Sequence, residues 1–217
     1  MGSMKKIPIG TRSVLIGAHC FFIHPWFVAI AWWKLFGFPW DGRLWFAFFT
    51  HDLGYWNMPN MDGEEGEDHP RIAARWSGDL FDTRFPTRED DYNFVGRLCN
   101  KLWGRRPSCH WYRMTMFHSR FLAKKYNAPF SQLCVADKLA LALEPWWLYL
   151  PRVVITGEIH EYMNLARERT EAGEPKFASM KLNLSSRRRW FEEVCEYLRR
   201  WVEEHKDMKE DTWTPSQ

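Results

Sequence analysis

Phe48-Phe49-Thr50-His51-Asp52-Leu53-Gly54 places an adjacent histidine and aspartate at the end of an apolar stretch. Ionisable side chains in such a place are costly to bury unless they bind something. A neutral imidazole and a carboxylate aimed at one point suit a divalent transition metal. Upstream, His24 opens a segment in which Val28 and Ala31 follow at helical spacing. Downstream, Asp137 lies in Cys134-Val135-Ala136-Asp137-Lys138-Leu139, within an amphipathic stripe of Leu133, Ala136, Ala140 and Leu143. A partnerless carboxylate among Val135, Ala136 and Leu139 would be costly wherever it turned inward. A His-Asp dipeptide alone is as readily a salt-bridged helix end. His24 and Asp137, each with a helix around it, give the pair its weight.

With those residues in order, the chain resembles the HD-domain superfamily of metal-dependent phosphohydrolases over about residues 14–150. The shared pattern is a His on one helix, His-Asp at the end of the next, and a late Asp preceded by Ala. The resemblance implies an all-α, HD-domain helical bundle in which His24, His51, Asp52 and Asp137 hold a divalent ion. Asp68-His69-Pro70, continuing Ile72-Ala73-Ala74, is similar to the His-Pro-x-x-Gly-Ala element of members that bind two metals, with Ala73 where Gly is usual. Phe117-His118-Ser119-Arg120 falls just before the Asp137 helix. In the two-metal members two further histidines complete a second site, which makes His69 and His118 the candidates and Asp52 the bridge. His110 competes with His118 for that place. Mono-metal nucleotidases of the family carry a Glu three residues after the His-Asp pair, and the HD-GYP phosphodiesterases a Lys. This chain has Tyr55 there and no Gly-Tyr-Pro segment. The missing Glu favours the two-metal arrangement.

The expected activity is hydrolysis of a nucleotide-type phosphoester, either a nucleoside phosphate or a cyclic oligonucleotide. The cofactor would be one or two divalent ions drawn from Mn, Fe, Co, Ni, Zn and Mg. Such an ion lowers the pKa of bound water from 15.7 towards ~7, which supplies the attacking hydroxide at neutral pH. Asp52 would be catalytic together with Arg120 and Lys138, the two cations expected to hold phosphate. Lys124 and Arg71 are lesser candidates. Tyr55 and Trp56 would stack on a base or belong to the core, and His19 would line the pocket mouth or be a core histidine. Two other classes stay open: an HD-type di-iron oxygenase, and a non-catalytic binding protein on an HD fold.

The elements that must position these residues read as helices. Pro25–Leu35, Arg43–Leu53, Pro70–Leu80, Asp91–Trp103, His110–Tyr126, Ser131–Glu144, Thr156–Thr170 and Ser186–Glu204 carry helical periodicity or helix boundary signals. Between them lie turn-rich stretches: Asn57–Gly66, Phe81–Asp90 around Pro86, Gly104–Pro107, Asn127–Pro129 and the linker Glu171–Pro175. Pro145 and Pro151 bracket Trp146-Trp147-Leu148-Tyr149. No long period-2 alternation occurs, so the fold class is all-α, a bundle of roughly eight helices.

Composition bounds the rest. The 217 residues suit one domain with a helical extension. We expect residues 1–13 to be a tag remnant and N-terminal segment, 14–150 the metal-dependent domain, 151–206 a helical extension packed on it, and 207–217 a flexible tail. The 14 Trp and 16 Phe imply a core or pocket built from large rings. A net charge of +3, spread along the chain, gives no case for a nucleic-acid duplex as partner. The partner is expected to be a small phosphorylated substrate, with monomer and homodimer both open. Five unpaired-looking cysteines point to free thiols and a cytoplasmic setting. Val14–Phe38 is apolar enough for a membrane span, but Pro25 and two histidines argue instead for a core helix buried all round.

Overall fold

The computed structural model describes residues 7–62, 64–82, 109–171 and 184–214. Among the described residues every regular element is helical, and the chain is an all-α bundle. The expected helix Asp91–Trp103 and turn Gly104–Pro107 lie outside the described residues, as do most of Phe81–Asp90 and of the linker after Glu171.

Val14–Phe38 is two helices, not one. Helix α1 spans Ile9–Ile16 and stops at Gly17, whose N–H bonds Arg12 O and Ser13 O. Helix α2 spans His24–Phe36, with Pro25 in the first turn, where its missing N–H costs nothing. It ends at Gly37, which takes φ 90, a value that favours glycine. Burial all round does not hold for α2. Val28, Ala31 and Trp32 are buried, while Trp26, Ile30 and Trp33 form an exposed stripe on the opposite side. No described helix is long and apolar enough to cross a membrane.

Helix α3, Gly42–Thr50, starts where the Asp41 carboxylate accepts the Arg43 N–H. It runs into His51 and Asp52, and the chain then tightens into a 3₁₀ turn at Leu53–Tyr55. A short α4, Glu64–Glu67, interrupts the expected loop, and α5 spans Pro70–Phe81. The expected helix His110–Tyr126 is broken. Helix α6 is His110–Met116 and α7 is Arg120–Lys125, with Ser119 capping α7 through its hydroxyl. Helix α8, Gln132–Leu143, is capped by Ser131. Helix α9, Trp146–Thr156, starts at the Pro145 cap and continues through Pro151 until Gly157, at φ 86, ends it. Helices α10, Glu158–Glu171, and α11, Arg187–His205, follow.

Helix α2 lies along α8, and α8 also packs on α11. Val28, Ala31, Phe48, Leu133, Ala136 and Ala140 form one part of the core. Met116, Leu122, Phe130, Cys134 and Trp201 form a second. Tyr149, Val153, Ile159, Trp190 and Phe191 form a third. Residues beyond 150 therefore share the core with those before it. The tail is held too. Asp211 is buried and accepts hydrogen bonds from the Trp201 indole and the Trp213 and Thr214 backbone. The expected flexible tail is thus anchored as far as residue 214.

Candidate metal centre

The packing of α2 on α8 brings His24 to Asp137, 113 residues away: His24 Nε2 lies 3.0 Å from Asp137 Oδ1. The end of α3 adds the adjacent pair. Asp52 Oδ2 lies 3.3 Å from His24 Nε2 and 3.1 Å from His51 Nε2, and His51 Nε2 lies 3.7 Å from Asp137 Oδ1. On its other side Asp52 Oδ1 lies 3.5 Å from both His69 Nε2 and His118 Nε2. His69 Nε2 and His118 Nε2 are 3.0 Å apart. The six side chains form two groups that share Asp52, and all six are buried.

These spacings fit ions. Ligand atoms about 2.1 Å from a common ion, at octahedral or tetrahedral angles, lie about 3.0–3.4 Å from each other. His51 Nε2 and Asp52 Oδ2 are fully buried and make no well-directed hydrogen bond despite their short separation. Neither atom has another hydrogen-bond partner among the described residues. Unpaired buried polar atoms of this kind demand an explanation, and a cation supplies one.

The tautomers agree. Backbone carbonyls hold the Nδ1 edge of three imidazoles: Phe48 O for His51 at 2.9 Å, Gly66 O for His69 at 2.7 Å and Thr115 O for His118 at 2.6 Å. An Nδ1–H spent on a carbonyl leaves Nε2 as the lone pair for a metal, the usual arrangement around ligating histidines. For His69 and His118 this aims two lone pairs at each other. Burial, with His118 beside it, holds His69 well below its usual pKa, and burial lowers His118 as well. A proton shared between them is therefore disfavoured, and a divalent ion would resolve the contact.

Burial alone would raise the Asp52 and Asp137 carboxyls. His51 and His19 outweigh it at Asp52, and Lys138 with His24 outweighs it at Asp137, so both stay well below the usual carboxylate range. Burial likewise opposes charge on His51, but Asp52 and Asp137 outweigh it and lift its pKa to about 10. A proton on His51 thus competes with metal for the same pair of carboxylates.

Local sequence explains the placement. An added Cβ on Gly54 would sit 1.8 Å from His69 O, so only glycine lets the turn after the His-Asp pair lie against His69. Tyr55 stacks on His69 with ring centroids 3.8 Å apart, and the Glu161 carboxylate ties down the backbone of Met61 and Asp62. His118 sits in the break between α6 and α7, not on a helix as expected. Ser131, the cap of α8, donates its hydroxyl to Met114 O and its N–H to Phe117 O, which fixes that break against the helix carrying Asp137. His110 is exposed at the start of α6 and outside both groups, so the structure brings His118, not His110, to the cluster.

The expected phosphate-binding residues sit elsewhere or are engaged. Arg120 turns to α11, where it donates to Tyr197 Oη at 3.2 Å and lies 4.9 Å over the Trp201 ring. The guanidinium is packed on the rings of α11 in this structure. Lys138 Nζ binds Asp137 Oδ2 at 2.8 Å, which leaves Asp137 Oδ1 to face His24 and marks Lys138 as a support of the cluster. Arg71 pairs with Asp68 and Tyr126. Tyr55 is buried, so it holds His69 and is no platform for a base, while Trp56 is exposed. His19 borders the cleft beside His24, His51 and Asp52, with burial pushing its pKa down to about 4.

The chain matches no protein-family model, no curated protein and no solved structure.

Proposed function

We propose that this chain is a metal-dependent phosphohydrolase of HD type that cleaves a nucleotide-type phosphoester. The observation that carries the reading is the sharing of Asp52 by two buried ligand groups, each of a size that fits one ion. The order His24, His51-Asp52, His69, His118, Asp137 is that of the two-metal HD proteins the sequence resembles. When bound, a pair of divalent ions supplies an activated water at neutral pH and polarises phosphoryl oxygens.

The protein's own groups set the rest. Asp52 presents one oxygen to each ligand group, so it fixes their separation. The carbonyls of Phe48, Gly66 and Thr115 hold His51, His69 and His118 in the ligating tautomer. Lys138 neutralises the outer oxygen of Asp137. Phe21, Pro25, Phe48 and Phe49 wall the adjoining cleft and keep bulk water from the cluster. With Arg120 and Lys138 engaged, anchoring of phosphate falls to the cluster itself. A ligand set rich in imidazole favours a transition ion such as Fe, Co, Ni or Zn over Mg.

The test is phosphoester cleavage by protein reconstituted with Mn, read as dephosphorylated product from nucleoside phosphates, linear dinucleotide from cyclic dinucleotides and 4-nitrophenol from bis(4-nitrophenyl) phosphate. Asp52→Ala should lower turnover by more than the ~100-fold that a change outside the ligand set costs. Equal turnover by parent and Asp52→Ala would overturn the proposal. Iron-dependent oxygen uptake without phosphoester cleavage would replace it with the oxygenase reading.

A further inference from the structure

Glu158 is fully buried and stands outside the metal cluster. It accepts hydrogen bonds from Ser13 Oγ at 2.9 Å, from Thr156 Oγ1, from Tyr162 Oη at 3.1 Å and from the Ala18 N–H. Gly17 admits it, since an added Cβ there would sit 1.8 Å from Glu158 Oε1. Ser13 Oγ, also fully buried, lies 2.9 Å from His19 Nδ1. A hydroxyl has one proton to give. With that proton directed at Glu158 Oε2, Ser13 Oγ is left to accept from His19, whose ring must then carry its proton on Nδ1. The opposite edge of the ring, Nε2, is a bare acceptor with no hydrogen-bond partner among the described residues, and His19 lines the cleft beside His24, His51 and Asp52. A nucleophilic role for Ser13 is ruled out by its burial and by the commitment of its proton.

We infer that Glu158, acting through Ser13, fixes His19 as a hydrogen-bond acceptor facing the metal cleft, where His19 Nε2 orients the attacking water. The orienting step rests on the hydrolase reading above. The fixed tautomer does not. Ser13 and Glu158 are positioning residues, and His19 is the group that touches the reacting water. The arrangement also gives the segment beyond residue 150 a part in the site, because α10 contributes Glu158.

The tautomer is read by long-range ¹H–¹⁵N correlation on metal-free protein. The parent should show His19 protonated on Nδ1. Ser13→Ala, which removes one oxygen, should move the proton to Nε2, the form a free imidazole prefers. Glu158→Gln, close in shape, is the second variant and should loosen the Nδ1 preference. In Mn-loaded protein, Ser13→Ala and His19→Ala should lower kcat by ~10–100-fold, the usual cost of losing an outer-shell partner, with KM within about twofold and the metal content of the parent. A parent His19 protonated on Nε2, or a Ser13→Ala protein with the parent's tautomer and kcat, would overturn the inference. A loss confined to KM would overturn the orienting step. The expected tautomers without any phosphoester cleavage would remove the hydrolase reading and keep His19 as the fixed acceptor.

Discussion

At the scale of single residues, the cluster works because its histidines are held from behind. Each of His51, His69 and His118 gives one ring edge to a carbonyl three residues earlier, so the other edge is presented without search. Asp52 joins the two groups, and that predicts unequal costs. His118→Ala should lower the metal content from about two ions per chain to about one, measured by elemental analysis, because His24, His51, Asp52 and Asp137 still form a complete group. Loss of both ions in that variant would contradict two separable sites. The charges also predict a pH dependence for metal-free protein. Asp52 and Asp137 are held below the usual 3.8, so their contribution is present above about that pH and is lost on acidification. His51 is raised from 6.5 to about 10, so its contribution is full below 6.5 and lost as pH climbs through about 10. The metal-free Tm should therefore fall between pH 6.5 and 10, while metal-loaded protein changes less. A metal-free Tm that rose over that range would contradict the assignment.

At the scale of elements, small residues decide where the helices can meet. Gly54→Ala should push the 3₁₀ turn off His69, cost ~1–3 kcal/mol of stability and weaken the second ion before the first. Denaturant unfolding and metal titration measure the two effects, and parent-like values for both would contradict the close approach. The residues of the cluster were legible in the sequence because His and Asp stand out against apolar helices, as at His51-Asp52 and Asp137. What surrounds them was less so. Periodicity ran His110–Tyr126 into one helix, because the break rests on the Ser119 cap and on two bonds from Ser131, a partner beyond the segment. Arg120 looked like a phosphate ligand by its nearness to His118 in sequence, yet its side chain leaves towards Trp201. Ser13 and Glu158 are 145 residues apart, and no local pattern announces such a pair. The apolar run of α2 hid its exposed side, since Trp26, Ile30 and Trp33 read the same whether covered or not.

At the scale of the whole molecule, the segment beyond residue 150 is part of the bundle that frames the site. Helix α11 seals the core with Trp201 and Leu198, and the tail closes over it through Asp211. Asp211→Ala should strand the buried Trp201 N–H and cost ~1–3 kcal/mol, seen as a lower Tm with metal content unchanged. An unchanged Tm would mean that the tail adds nothing to the bundle. Helices distant in sequence meet at the cluster: α2, the end of α3 and α8 supply ligands, with α10 linked to it through Glu158, Ser13 and His19. The purpose proposed for that convergence is to hold divalent ions. The most direct test is elemental analysis of the purified protein, reconstituted with Mn, Fe, Co or Ni, beside Asp52→Ala prepared in the same way. About two ions per chain in the parent and a clear loss in Asp52→Ala is the predicted result. A parent that takes up no metal from any of the four would contradict the account.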